Sequence, residues 1–148
     1  MPQPNKRNAP LGGGGPGGGS IGRLASLAQQ DVIDFEIAFY ERLIRSIPDY
    51  VEVLQILAQH YRLRDRQREG LAVDLRLAEL RPNDPRIHYN LACRYALLRQ
   101  TEQALRTLRR ALELGYRDFQ YLEQDQDWDH LRKDHRFQKL LREFRTRS

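Results

Sequence analysis

Asp125, Asp127 and Asp129 alternate in a way that comes nearest, in this chain, to the opening of a metal-binding loop. A calcium loop also needs glycine at its sixth position, for the turn, and a bidentate glutamate at its twelfth. Here those positions hold His130 and Arg136, so the aspartates are expected to cap a helix and face water, and no metal is expected. His130, Asp134 and His135 lack zinc spacing, and His60 and His88 fall on separate helices. Cys93 has no basic neighbour in sequence that would make it a thiolate, so a partly buried helix residue is expected rather than a nucleophile. The Gly12–Gly19 stretch lacks the Gly-Lys-Ser/Thr ending and the preceding strand of a phosphate loop. Arg62, Arg64, Arg66 and Arg68 alternate with Asp65 and Glu69 nearby, and Tyr61 is the one adjacent aromatic. A solvated turn is expected there, not a phosphate-binding surface. No catalytic set emerges and no cofactor is expected, which points to a non-enzyme.

Charge sharpens that exclusion. The formal net charge is +5. Residues 1–30 hold Lys6, Arg7 and Arg23 and no acid, while residues 31–148 hold 22 basic and 20 acidic residues. The remainder is nearly balanced, so nucleic acid is an unfavoured partner, retained as the alternative through the arginine-rich surface and basic tail. Hydrophobic residues at 40% suffice for a packed core. No apolar run reaches the length that crosses a bilayer, and glycines rather than an apolar stretch follow the first charges. With a single cysteine, no internal disulfide forms, and the cytoplasm is the expected location.

The elements that would position these groups are helical. Residues 1–19 form a Gly/Pro-rich segment expected to be a flexible, disordered tail. Residues 20–50 are expected to hold two helices, a short one capped by Ser20 and carrying Ile21, Leu24, Leu27 and Ala28, then a stronger one over Asp31–Ser46, stopped by Pro48. Beyond them the chain repeats. Setting 51–84 beneath 85–118 pairs Leu57 with Leu91, Ala58 with Ala92, Tyr61 with Tyr95, Leu80 with Leu114 and Asp84 with Asp118, among nine identities in 34 positions. Each unit reads as two helices: Val51 to Arg64 and Arg68 to Leu80, then Ile87 to Leu98 and Glu102 to Leu114. Asp84 and Pro85 start the second unit and Gly115 closes it.

The stretches Leu54-x-x-Leu57-Ala58-x-x-Tyr61 and His88-x-x-Leu91-Ala92-x-x-Tyr95, with Gly70, Ala104 and Ala111 at small positions and Pro82 closing the first unit, resemble the tetratricopeptide repeat (TPR). Asp74, where a large apolar residue is usual, and Leu77, where a small one is usual, depart from it, so the first unit is expected to pack less regularly. Pro48 lies 34 residues before Pro82, which makes the preceding helix resemble a half repeat. The segment Asp125-x-Asp127 through Leu131-Arg132, Asp134-x-Arg136-Phe137 and Leu140-Leu141 resembles the terminal cap of bacterial TPR arrays.

The resemblance implies an all-α fold: a short α-solenoid with repeats at 51–84 and 85–118, a helical C-terminal cap at 119–148 and the N-terminal half repeat and tail already described. It also implies a concave groove lined by first helices, with candidate partner-binding residues Glu52, Gln55, Gln59, Arg62, Arg86, Tyr89, Asn90 and Cys93. The expected function is a non-enzymatic protein-protein interaction module, an adaptor or scaffold for a partner peptide or helix. Self-association through an exposed helix face is a further expectation.

Overall fold

A computed structural model describes residues 18–147, and the expected tail lies outside them except for Gly18 and Gly19. The described chain is all-α. Seven α-helices follow in order: α1 Gly18–Ser46, α2 Val51–Leu63, α3 Gln67–Leu80, α4 Pro85–Leu97, α5 Thr101–Glu113, α6 Phe119–Gln124 and α7 His135–Arg145, with a 3-10 helix, Gln126–Leu131, between the last two. Among the described residues there is no strand, and no helix is long and apolar enough to cross a membrane.

The 34-residue step seen in the sequence is present in the backbone. Helices α2, α4 and α6 begin at residues 51, 85 and 119, and helices α3, α5 and α7 at residues 67, 101 and 135. The turns repeat as well. The Arg66 amide donates to the Tyr61 carbonyl at 2.7 Å, and the Gln100 amide to the Tyr95 carbonyl at 2.9 Å. Between them, Asp65 and Arg99 both take the left-handed conformation, φ 54° and 60°. That conformation is the usual C-terminal stop of a helix, and an L-residue there costs about 1 kcal/mol relative to glycine. Neither position holds glycine, so each hairpin carries a small local strain that its flanking helices must hold.

Helices pack on their chain neighbours: α1 on α2, α2 on α3, α3 on α4, α4 on α5, and the C-terminal segment on α4 and α5. Two small clusters hold the first half. Ile37 meets Val53, Leu57 and Tyr61 in one, and Leu54, Ala58, Leu77 and Ile87 meet in the other. A larger cluster joins α4 and α5 to the C-terminal segment, where Leu122, Trp128, Leu131, Phe137, Leu140, Leu141 and Phe144 are all buried and Phe119 packs at the edge. Those side chains cover the apolar face that α4 and α5 would otherwise expose.

Two expectations, on the first helices and on Asp74, need correction, and the C-terminal segment shows an added regularity. Residues 20–46 form one continuous helix, not two, because the polar Gln29-Gln30-Asp31 stretch contains neither glycine nor proline to break it. The C-terminal segment is in register with the preceding units: Asp118 caps α6 through the Tyr121 amide at 3.0 Å, one 34-residue step after Asp84, which accepts from the Arg86 amide at 2.9 Å. Its first helix then gives way after six residues to the 3-10 turn. And the irregular Asp74 is not a packing fault but half of a buried ion pair.

Candidate functional site

Two neighbouring constellations lie where α2, α3 and α4 meet. The first is built on Arg94, which α4 directs back toward the preceding hairpin. Its side chain is almost wholly enclosed and every arm is used: Nε donates to Asp74 Oδ2 at 2.8 Å, one terminal nitrogen to Gln67 Oε1 at 2.6 Å and the other to the Ala58 carbonyl at 2.7 Å. Gly70 makes the space. A β-carbon there would sit 2.4 Å from the guanidinium carbon, so the small residue admits a guanidinium between the helices as well as letting them approach. Burial raises the Asp74 carboxyl above its ordinary pKa, outweighing the opposing pull of Arg94.

One step of 34 residues further, the same layout is apolar. Ala104 replaces Gly70, Leu108 replaces Asp74 and Trp128 replaces Arg94, and all three are fully buried in one cluster. The ion pair in the first position and the indole in the second therefore do one packing task with different chemistry.

The second constellation is the seat of the C-terminal segment on the first helices. Asp125 Oδ1 accepts the Asp127 amide at 3.0 Å, starting the 3-10 turn, and its Oδ2 accepts the Tyr89 hydroxyl at 2.6 Å and the Cys93 thiol at 3.6 Å. Asp127 grips Arg62 of α2 through both carboxylate oxygens, at 2.6 and 2.5 Å. The capping role expected of Asp125 is present, but Asp125 and Asp127 are buried rather than solvated, because the turn drives them against α2 and α4. Their oxygens and the Cys93 sulfur lie within 4.8 Å of one another. The Arg62 guanidinium supplies the positive charge at that point, and the Tyr89 hydroxyl takes up a carboxylate oxygen. Burial first, then the charges of Asp125 and Asp127, push the Cys93 thiol well above its usual pKa.

That last fact gives a direct test. Cys93 should react with iodoacetamide at pH 8 at least about 100-fold more slowly in the folded protein than in denaturant, as burial and an undissociated thiol both require. Comparable rates would mean that the C-terminal segment does not stay seated.

The eight candidate groove residues divide accordingly. Gln55, Gln59, Arg62, Asn90 and Cys93 line a cleft of about 200 Å³ whose deeper wall is Ala58, Leu77, Ile87 and Leu97, with Asp74 and Arg94 at its base. Glu52 lies beside it, on a shallower depression shared with Ile56 and His60, and Arg86 is exposed at the start of α4. Tyr89 and Cys93 are not free to meet a partner: Tyr89 is buried, stacks on Tyr116 at 4.2 Å and is tied to Asp125, and Cys93 is closed off beside it. Arg62 is ion-paired. What stays open is an amide rim, since Gln55, Gln59 and Asn90 are exposed and make no side-chain hydrogen bond within the described chain.

The arginine run also resolves into pairs. Arg62 holds Asp127, Arg64 holds Asp34 at 2.7 Å, and Arg66 holds Glu69 at 2.5 Å while lying over the Tyr61 ring. The expectation of a wholly solvated turn fits Arg68 alone of the four. Sequence spacing carried no sign of the partners of Arg62 and Arg64, which lie on the C-terminal segment and on α1.

No family model matches the chain. A stretch of 56 residues, 38% of the chain, is 43% identical to a chloroplastic protein of Arabidopsis thaliana. The match spans 17% of that protein's length.

Proposed function

We propose that this chain is a short α-solenoid of the TPR type that acts as a non-enzymatic scaffold, holding an extended segment of a partner protein in the cleft between α2 and α4. The observation that carries the reading is the cleft itself. Its deeper wall is apolar, from Ala58, Leu77, Ile87 and Leu97, above the mutually paired Asp74 and Arg94, and its rim presents the unengaged carboxamides of Gln55, Gln59 and Asn90. A carboxamide offers both a donor and an acceptor, which suits the alternating groups of a peptide backbone, while the apolar wall suits one or two small apolar side chains. The matching turns 34 residues apart support the repeat assignment. The buried free thiol is at home in a reducing compartment, and the cytoplasm is the proposed location.

Protein capture is favoured over the nucleic-acid alternative by the engagement of Arg62, Arg64 and Arg66 with carboxylates inside the chain, which leaves no open basic stripe at the cleft among the described residues. Affinity capture with mass spectrometry should return a partner whose binding weakens about tenfold in the double substitution Gln55→Ala/Gln59→Ala, the loss of about one well-formed hydrogen-bonded contact. Unchanged affinity would move the binding site off the cleft. Salt-sensitive binding of generic RNA or DNA, with no protein captured, would favour the alternative.

A further inference from the structure

Helix α1 carries two apolar faces, and the fold uses one. Ile33, Ile37, Tyr40, Leu43 and Ile44 turn toward α2. On the opposite side, Ile21, Leu24, Ala28, Val32, Phe35 and Phe39 fall within about 80° of the helix circumference and run for about 27 Å. All six are exposed, Phe35 at 75% and Ile21 at 71% of full accessibility. Aromatic and branched side chains in an unbroken stripe of this kind mark an interface rather than a solvated surface.

We infer that this stripe is a self-association surface, on which α1 of a second copy packs antiparallel. Charge placement points to the second copy. Asp31 and Arg42 flank the same edge of the stripe and have no ion-pair partner within the described chain. In an antiparallel pair centred between residues 36 and 37, Asp31 of each copy stands opposite Arg42 of the other, so one arrangement satisfies both charges twice. The same register brings the Phe35 and Phe39 rings of both copies together at the centre. The stripe covers on the order of 600 Å² per copy, or roughly 1,200 Å² for the pair, at the lower end of stable specific interfaces.

Other occupants fit less well. Residues 1–17 contain only the single methionine and Leu11 as large apolar side chains, too few to cover six positions. An anionic membrane surface would call for a basic helix, and α1 carries three arginines against four acidic residues. The proposed pairing is independent of what the cleft binds.

The test is the mass of the full chain in solution, by sedimentation or light scattering over a concentration series. A dimer is expected, with Phe35→Asp/Phe39→Asp raising its dissociation constant at least about 100-fold. Helical circular dichroism and thermal stability should be unchanged at the monomer level, because both side chains are exposed. Asp31→Arg should weaken the dimer about tenfold by opposing Arg42 across the interface, and Asp31→Arg/Arg42→Asp should restore it to within about threefold. A monomer at every soluble concentration overturns the proposal, whether or not it binds vesicles or another protein. So does a dimer indifferent to the phenylalanine substitutions. Failure of the charge swap to restore association overturns the antiparallel register.

Discussion

Asp74→Ala should cost about 3–5 kcal/mol in a denaturant titration, far more than the loss of an average polar contact, because it leaves the enclosed Arg94 guanidinium without its counter-charge. The remaining contacts of Arg94 go to a carboxamide and a backbone carbonyl, and neither neutralises it. Removing both partners is a different matter. Asp74→Leu/Arg94→Leu should lie within about 1 kcal/mol of the parent or be more stable, since an apolar pair avoids the desolvation of two ions. Two observations support that asymmetry. Burial already holds the Asp74 carboxyl above its ordinary pKa in spite of Arg94, so desolvation of that carboxyl outweighs the pull of its partner. The equivalent place one unit later is built from Leu108 and Trp128 with no charge at all. A loss below about 1 kcal/mol for Asp74→Ala would show that Arg94 swings out through the cleft to water.

Trp128→Ala should be as damaging, at about 3–5 kcal/mol, by a different route. The indole is fully enclosed, lies 5.4 Å from the Phe137 ring and belongs to the cluster that joins α4 and α5 to the C-terminal segment. Its loss leaves a cavity at the junction of three elements, where no single side chain can move in to fill it. The melting temperature should fall by roughly 10–20 °C for a chain of this size. Because the same segment covers Cys93, the variant should also label faster with iodoacetamide. A melting temperature within about 2 °C of the parent would mean that the segment contributes little to the core.

Local signals were legible in the sequence where local chemistry decides them. Asp84 followed by Pro85 marks a helix start because an aspartate side chain satisfies the first free amides, and the two bonds it makes are there. The 34-residue step is visible because Leu57, Ala58 and Tyr61 recur as Leu91, Ala92 and Tyr95 under the same packing demand. What the sequence hid is non-local. Asp74 looked like an irregularity until Arg94, twenty positions away, was seen beside it. Tyr89 and Cys93 sit at a helical phase that would suit a groove, but Asp125 arrives at the same face from more than thirty residues downstream and takes it. The continuity of α1 was missed for a simpler reason: a polar stretch interrupts an apolar stripe without interrupting a helix.

Helical repeat arrays in general lengthen by duplicating a unit, and neighbouring units usually tolerate the insertion because each contacts only the next. The grip of Asp127 on Arg62 sets a limit on that freedom. It reaches past α4 to the helix one unit earlier, so the C-terminal segment recognises two successive first helices at once. If a further unit were inserted after α5, the residue standing one unit back would be Ala96, the counterpart of Arg62, and Asp127 would be left enclosed without a cation. The clasp thus works as a ruler: its buried charge is matched only when Arg62 stands one 34-residue step before the position that Asp127 would otherwise face.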